Sequence, residues 1–325
     1  MKISQEEMKM ALKQIGSVGA TWPPFYNEPN ARVKGFCPDR IGTRGDLRRG
    51  FETAEGVERT APQATRTTIR AFVENGLLEG LQRERDVEGF RIEAAIPVDN
   101  ALVGYSIAYF GRNKPERMPT PESLQAEMEG LGRVLSEVRP IDTQEAVAKV
   151  RLAECCITRI DSNGGFDADV SRLRDLYREA YQRYTIEMTE DTIRGLLDNG
   201  NLVVVAREDT RREIVASLIA EHCIVQVGGQ EVHLYELNDF ATFRSHRRRG
   251  LMTLMQMDAV LAIHRLHKGK AIVYAEDRAA WEPVNRASQR AGLYYRGTLL
   301  QHCVLEADRS YGETGSMENL NVWSI

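Results

Sequence analysis

From about residue 155 onward the chain alternates between two kinds of hydrophobic pattern, and each predicts a different element. CCITRI (155–160) reads as a short strand, and DADVSRLRDLYREAYQRY places Val170, Leu173, Leu176, Tyr177, Ala180 and Tyr184 at the spacing of an amphipathic helix. TEDTIRGLLDNG sets Ile193, Leu196 and Leu197 on one helical face, with Gly200 as its stop. NLVVVARE and EIVASLIAEHCIVQV are β-branched runs separated by DTRR, and Gly228 and Gly229 turn the chain into EVHLYELNDFAT. A helix from Gly250 to about His267, a strand AIVYAED, a helix from about Ala279 to Ala291 and a strand LYYRGTLLQHCVL complete the series. The order predicts an α/β (α+β) domain with one mixed, mostly antiparallel sheet flanked by helices.

Upstream the pattern breaks between Arg112 and Pro140, where Pro115, Pro119 and Pro121 precede the polar helical stretch SLQAEMEGLGRVLSEV. This divides the chain into an N-terminal domain over 1–140, closed by a linker helix, and a second domain over 150–325. Two domains suit a length of 325 residues. Apolar residues at 42% and charged residues at 28% describe an ordinary globular protein. Lys and Arg number 43 against 47 Asp and Glu, a net charge of -4, which argues against a nucleic-acid partner. No run reaches the ~18–20 apolar residues of a membrane span, and MKISQEEMKM lacks a signal-peptide core, so a cytoplasmic, non-membrane protein is expected. The five cysteines (Cys37, Cys155, Cys156, Cys223, Cys303) form no CxxC pair, so free thiols are expected rather than disulfides or a zinc site.

The chemistry concentrates in LYELNDFATFRSHRRRGLMTLMQMDAVLAIHRL. A β-rich run ends in a basic loop, a glycine follows, and a helix begins at once. Free N–H groups and the positive end of the helix dipole favour an anion there, and glycine lets a phosphate approach the backbone. A solvated turn is the plain alternative for such a loop taken alone.

Over about 155–305 the sequence resembles the GNAT superfamily of acetyl-CoA-dependent N-acetyltransferases. The superfamily's pyrophosphate loop reads Arg or Gln, two residues, Gly, one residue, then Gly or Ala. Here it is Arg247, Arg248, Arg249, Gly250, Leu251, Met252, and the bulky Met252 is a departure. A narrower resemblance is to the β-lysine N-acetyltransferase family, carried by NDFATFRSHRRRGLM, by Asn285 before Gly292, and by the tail SMENLNVW. IRAFVENGL, FRIEAAIP and GYSIAYF look like the helix and last strands of a degenerate GNAT-like half, whereas Gly16–Val57 and the stretch near Leu78–Glu88 have no counterpart.

The resemblance implies acetyl-CoA as co-substrate, no metal, and a small-molecule primary amine as acceptor, such as β-lysine or a related diamine. It implies cofactor contacts from Phe240, Ala241, Thr242, Arg247, Arg248, Arg249, Gly250, Leu251, Met252, Thr253 and Asn285. An ammonium must lose a proton before attacking a thioester, so a base is wanted. Glu236 stands eleven residues before Arg247, as the general base does in the superfamily's histone acetyltransferases, and Asp239 is assigned to the acceptor's ammonium. On a regular strand the two would face opposite sides of the sheet unless a bulge intervenes. The tyrosine acid of many members is replaced by Ser288, leaving Tyr294, Tyr295 or water to protonate the thiolate, with Tyr295 taken as the candidate.

Other features read more plainly. His264 and His267 lie i, i+3 without an acidic or thiolate partner, so a solvated helix end is expected rather than a metal site. Cys155 and Cys156 read as strand residues, TWPPFYNEP (21–29) as a surface loop or lid, and Trp323 as a docked anchor or a wall of the acceptor pocket. A peptide or aminoacyl acceptor and a non-catalytic acyl-CoA-binding module are the competing functions. The oligomeric state is open, a homodimer included.

Overall fold

Among the described residues, one twelve-stranded sheet joins the two halves that the sequence divides. The computed structural model describes residues 24–27, 30–84, 86–98, 102–152, 154–160, 167–181, 188–198, 200–304 and 317–325. The N-terminal half contains β1 (Phe25–Asn27), β2 (Arg32–Ile41), α1 (Arg44–Thr60), β3 (Arg66–Glu74), α2 (Asn75–Leu81), β4 (Arg91–Pro97) and β5 (Tyr105–Asn113). Helices α3 (Pro121–Glu137) and α4 (Thr143–Leu152) lead to β6 (Cys155–Ile160), α5 (Asp167–Ala180), α6 (Glu190–Asp198) and β7 (Leu202–Glu208). Then follow β8 (Ile214–Val227), β9 (Gln230–Thr242), α7 (Leu251–His267), β10 (Ile272–Arg278), α8 (Glu282–Arg290), β11 (Tyr294–Val304) and β12 (Met317–Ser324).

The strand order is β1-β2-β3-β5-β4-β11-β12-β10-β9-β8-β7-β6. Among the described strands only β2–β3 and β9–β10 are parallel, and each parallel pair is joined by a crossover helix, α1 or α7. Beyond each parallel pair the last two strands of that half follow in reversed order, β5-β4 on one side and β12-β11 on the other. The halves thus repeat one topology and meet through equivalent strands, β4 and β11, at the rung Gly297–Ala94. Gly297 has φ +146°, and a Cβ there would lie 2.1 Å from the Glu93 carbonyl, so this close approach requires glycine.

Curvature brings the halves together a second time, with β2 packed against β8. Phe36, Phe72 and Ile96 of the first half share one core with Val225, Leu234 and Ile272 of the second. Opposite faces of the second half carry separate cores, one under α7 and one under α5 and α6.

Several sequence readings need correction. IRAFVENGL is not a helix: the run through Val73 is β3, held between β2 and β5, and α2 starts only at Asn75. The described part of Gly16–Val57 supplies β1, β2 and most of α1. The run from Met317 to Trp323 is no tail, because β12 inserts between β10 and β11 in the middle of the sheet. Residues 1–23 and Tyr184 fall outside the described residues, as does most of the 21–29 segment.

Candidate active site

The two crossover helices differ at the end where a phosphate would bind. In the first half, only Gly42 and Thr43 separate β2 from α1, and Thr43 with Asp46 forms a capping box that occupies the helix start with its own hydroxyl and carboxylate. In the second half a loop over 243–250 intervenes. It holds a 3₁₀ turn (Arg244–His246), and α7 starts from Gly250 at φ +79° with no side-chain cap. Arg248 and Arg249 are exposed beside it, and Arg247 is half-buried with its Nε on the Thr242 carbonyl, 3.1 Å away. An uncapped start leaves the first N–H groups of α7 facing outward together with the positive dipole end. Leu251 and Thr253 are buried, so their side chains face inward and only backbone groups are presented there, while Met252 is half-buried.

The strands upstream open a wedge. Pairing between β9 and β10 ends at Leu237–Ala275, although β9 continues to Thr242 and β10 to Arg278. At the same level the β8–β9 register shifts between Ser217 and Ile219, and Asp239 takes φ +51°. A bulge therefore interrupts β9 between Glu236 and Ala241, among Asn238, Asp239 and Phe240. The Tyr181 hydroxyl, at the end of α5, donates to the Phe240 carbonyl at 2.6 Å, at the rim of this opening.

The bulge also answers the question of facing. Glu221, Glu236 and Tyr274 form one row across β8, β9 and β10, and in-register neighbours share a face. Burial first, and then the charge of Asp239, push the Glu221 carboxyl up to about 8. Asp239 therefore acts on the same buried cluster, although three residues of regular strand would have sent it to the other side. Glu236 and Asp239 are each 3% exposed.

The first half completes this cluster. Tyr274 donates to Glu236 Oε2 at 3.0 Å, and Arg70 of β3 donates to the Tyr274 hydroxyl at 3.0 Å. Burial, followed by the Glu236 charge, holds the Tyr274 hydroxyl well above the ordinary phenol range, so it remains a donor. Lys34 of β2 is buried beside Glu236 and Glu276; burial, then Arg32 and Arg70, bring its ammonium down to about 7. Glu276 lies 3.9 Å from Arg70 and 3.7 Å from His302. The sequence reading missed Glu221, Tyr274, Arg70, Lys34 and Glu276. A lone carboxylate in the apolar run of β8 was the available signal for Glu221.

Other candidates take structural places. Asn285 is buried with its amide nitrogen on the Arg278 and Trp281 carbonyls, and its oxygen accepts from Asn321 and the Trp323 indole. Its donors and acceptor are thus spent inside the protein, which leaves nothing for the expected cofactor contact. Ser288 is buried too, donating to Asp277 at 2.5 Å and accepting from Gln256 at 3.2 Å. Tyr295 belongs to the row Leu237–Ala275–Trp323–Tyr295 on the face opposite Glu236. It sits three strand spacings from β9, about 14 Å, and its hydroxyl meets Thr298 at 2.7 Å, so it cannot serve a thioester beside Glu236. Trp323 is wholly buried and packs edge-on against Tyr295, a docked anchor rather than a pocket wall.

A wedge between parallel strands, a bulge and an uncapped helix start occur in one continuous stretch, and that stretch is where a known family is matched. Residues 166–275 match the acetyltransferase (GNAT) domain model. The chain therefore carries a GNAT acetyltransferase domain over this segment, on the mixed sheet flanked by helices described above. Solved structures similar to it include NAA60 of Arabidopsis thaliana in complex with a bisubstrate analogue, at 14% identity and TM-score 0.40, covering 53% of this chain and 97% of that one. The ribosomal-protein-S18-alanine N-acetyltransferase of Escherichia coli is similar at 13% identity and TM-score 0.39, covering 53% and 92%. Spermidine N-acetyltransferase of Vibrio cholerae, in complex with CoA and spermine, is similar at 10% identity and TM-score 0.38, covering 53% and 95%. No curated protein matches the sequence. Among the described residues, no helix is long and apolar enough to cross a membrane.

Proposed function

We propose that residues 150–325 form the catalytic unit of an acetyl-CoA-dependent N-acetyltransferase, and that residues 1–140 are a degenerate half that walls its acceptor side. The observation that carries this reading is the divergence of β9 from β10 beyond Leu237–Ala275, leading straight to the uncapped start of α7. The pyrophosphate of acetyl-CoA would lie on the N–H groups at Gly250 and beyond, beside Arg247, Arg248 and Arg249. Its pantetheine arm would run along the freed edge of Asn238–Thr242, which includes Phe240 and Ala241, and the thioester would enter the wedge.

Glu236 stands one residue before the wedge opens, and Asp239 stands within it. In the proposed reaction the acceptor's ammonium gives a proton to Glu236, directly or through one water. The free amine attacks the thioester carbonyl to form the C–N bond, the nitrogen releases its second proton to water, the C–S bond breaks, and CoA leaves the acetamide as a thiolate. Tyr181, whose hydroxyl stands at the wedge, replaces Tyr295 as the group that protonates it. The acceptor is a small amino acid such as β-lysine or a related diamine. Asp239 offers negative charge to an ammonium beside the buried Glu221 carboxyl, and Arg70 of the first half offers positive charge to a carboxylate. A peptide acceptor fits less well, because β2 and β3 enclose this side.

Gly250→Asp tests the cofactor loop. Asp tolerates the left-handed conformation of Gly250 better than most residues, and circular dichroism confirms that the variant is folded. Calorimetry should show CoA binding weakened at least ~10-fold by the carboxylate at the helix start. Unchanged affinity in the folded variant would remove the reading.

A further inference from the structure

On the opposite side of the sheet from Glu236, three imidazoles from three elements converge. The hairpin between β8 and β9 turns on Gly228 and Gly229, at φ +56° and +79°, and this fixes the register His222–Tyr235 and Ile224–His233. Two strands paired in that register place His222 and His233 on one face as diagonal neighbours. The last turn of α7 crosses this face and adds His267. One nitrogen from each ring can be chosen so that all three lie within 4.8 Å of one another. His222 Nε2 is 3.0 Å from His233 Nδ1, and the Tyr235 hydroxyl is 2.9 Å from His267 Nε2.

We propose that His222, His233 and His267 bind one divalent transition-metal ion of the zinc type, clipping the end of α7 to the β8–β9 hairpin. Imidazole nitrogen suits zinc, copper and nickel, and three such ligands leave a fourth position for water. Arms of 2.0–2.1 Å at tetrahedral angles set nitrogens ~3.3 Å apart, so His222 Nε2 and His233 Nδ1 are already close enough and no gap has to close by more than about 1.5 Å. All three rings are half-buried, leaving a path for an ion from solvent. The C-terminal dipole of α7 favours positive charge at this point. Tyr235 orients the His267 ring as an outer-shell partner does. The sequence expectation of a solvated helix end holds for His264, which is exposed, but for His267 it fails because its partners lie far away in sequence.

The inference is independent of acetyl transfer, and its test reads metal binding. Chelator-treated full-length protein is titrated with Zn²⁺ by calorimetry and with Co²⁺ by visible absorption. One ion per chain is expected, with a cobalt spectrum lacking thiolate charge transfer. His267→Gln and His233→Gln should each weaken Zn²⁺ at least ~10–100-fold, the cost of losing even an outer-shell partner. His264→Gln should bind like the parent, and circular dichroism confirms that each variant is folded. Absence of binding, a thiolate signature, or full affinity in both folded ligand variants would overturn the site.

Discussion

Tyr274 donates its hydroxyl to Glu236 across 3.0 Å while accepting from Arg70 at the same distance, so the proposed base is tied through one phenol to the other half of the molecule. A hydrogen bond to a charged group contributes ~1.5–3 kcal/mol. Tyr274→Phe keeps the packing and removes the link, so kcat should fall roughly 10–100-fold with CoA affinity unchanged. Steady-state kinetics beside CoA calorimetry checks this, and an unchanged kcat would show that the first half does not position Glu236.

The two candidate acids are separated by the sheet itself. Tyr181 stands at the wedge on the Phe240 carbonyl, whereas Tyr295 lies on the other face against Trp323. Tyr181→Phe should therefore lower turnover by ~10²-fold if it protonates the thiolate, and Tyr295→Phe should leave turnover unchanged. Equal rates for wild type and Tyr181→Phe would assign that proton to water.

Asp277 gives a pH signature of folding. Burial pushes its carboxyl up to about 7, against the hydrogen bond from Ser288. With a folded value above the unfolded one, the native state holds the extra proton, so this group's favourable contribution is complete below about 4 and is lost as pH rises through about 7. Urea midpoints should show wild type losing stability relative to Asp277→Asn between pH 4 and pH 8. Parallel pH curves for the two proteins would contradict it.

The strands of the second half were legible because their β-branched runs are bounded by DTRR and by Gly228 and Gly229, and the loop was legible from Arg247 to Gly250. β12 was not, because Glu318, Asn319 and Asn321 read as a polar tail, yet each is buried with a partner: Arg278, Glu127 and Asn285. The bulge at Asp239 carries no glycine to announce it, so the facing of Glu236 and Asp239 stayed undecided in the sequence. Lys34 and Arg70 reach Glu236 only because the sheet curves β2 back onto β8, a long-range fact that no local pattern contains.

Acetyl transfer to a panel of small amino acids and diamines, by wild type and Glu236→Gln, tests the account most directly when free CoA thiol and acetylated amine are measured together. Wild type should release one thiol per acetylated amine. Glu236→Gln keeps the shape but cannot take the proton, so its rate near pH 7 should be ~10²–10⁴-fold lower, with the gap narrowing as pH rises and frees the amine. Asp239→Asn should mainly raise the acceptor's KM. Thiol release without any acetylated amine, or a Glu236→Gln variant as fast as wild type at pH 7, would contradict it.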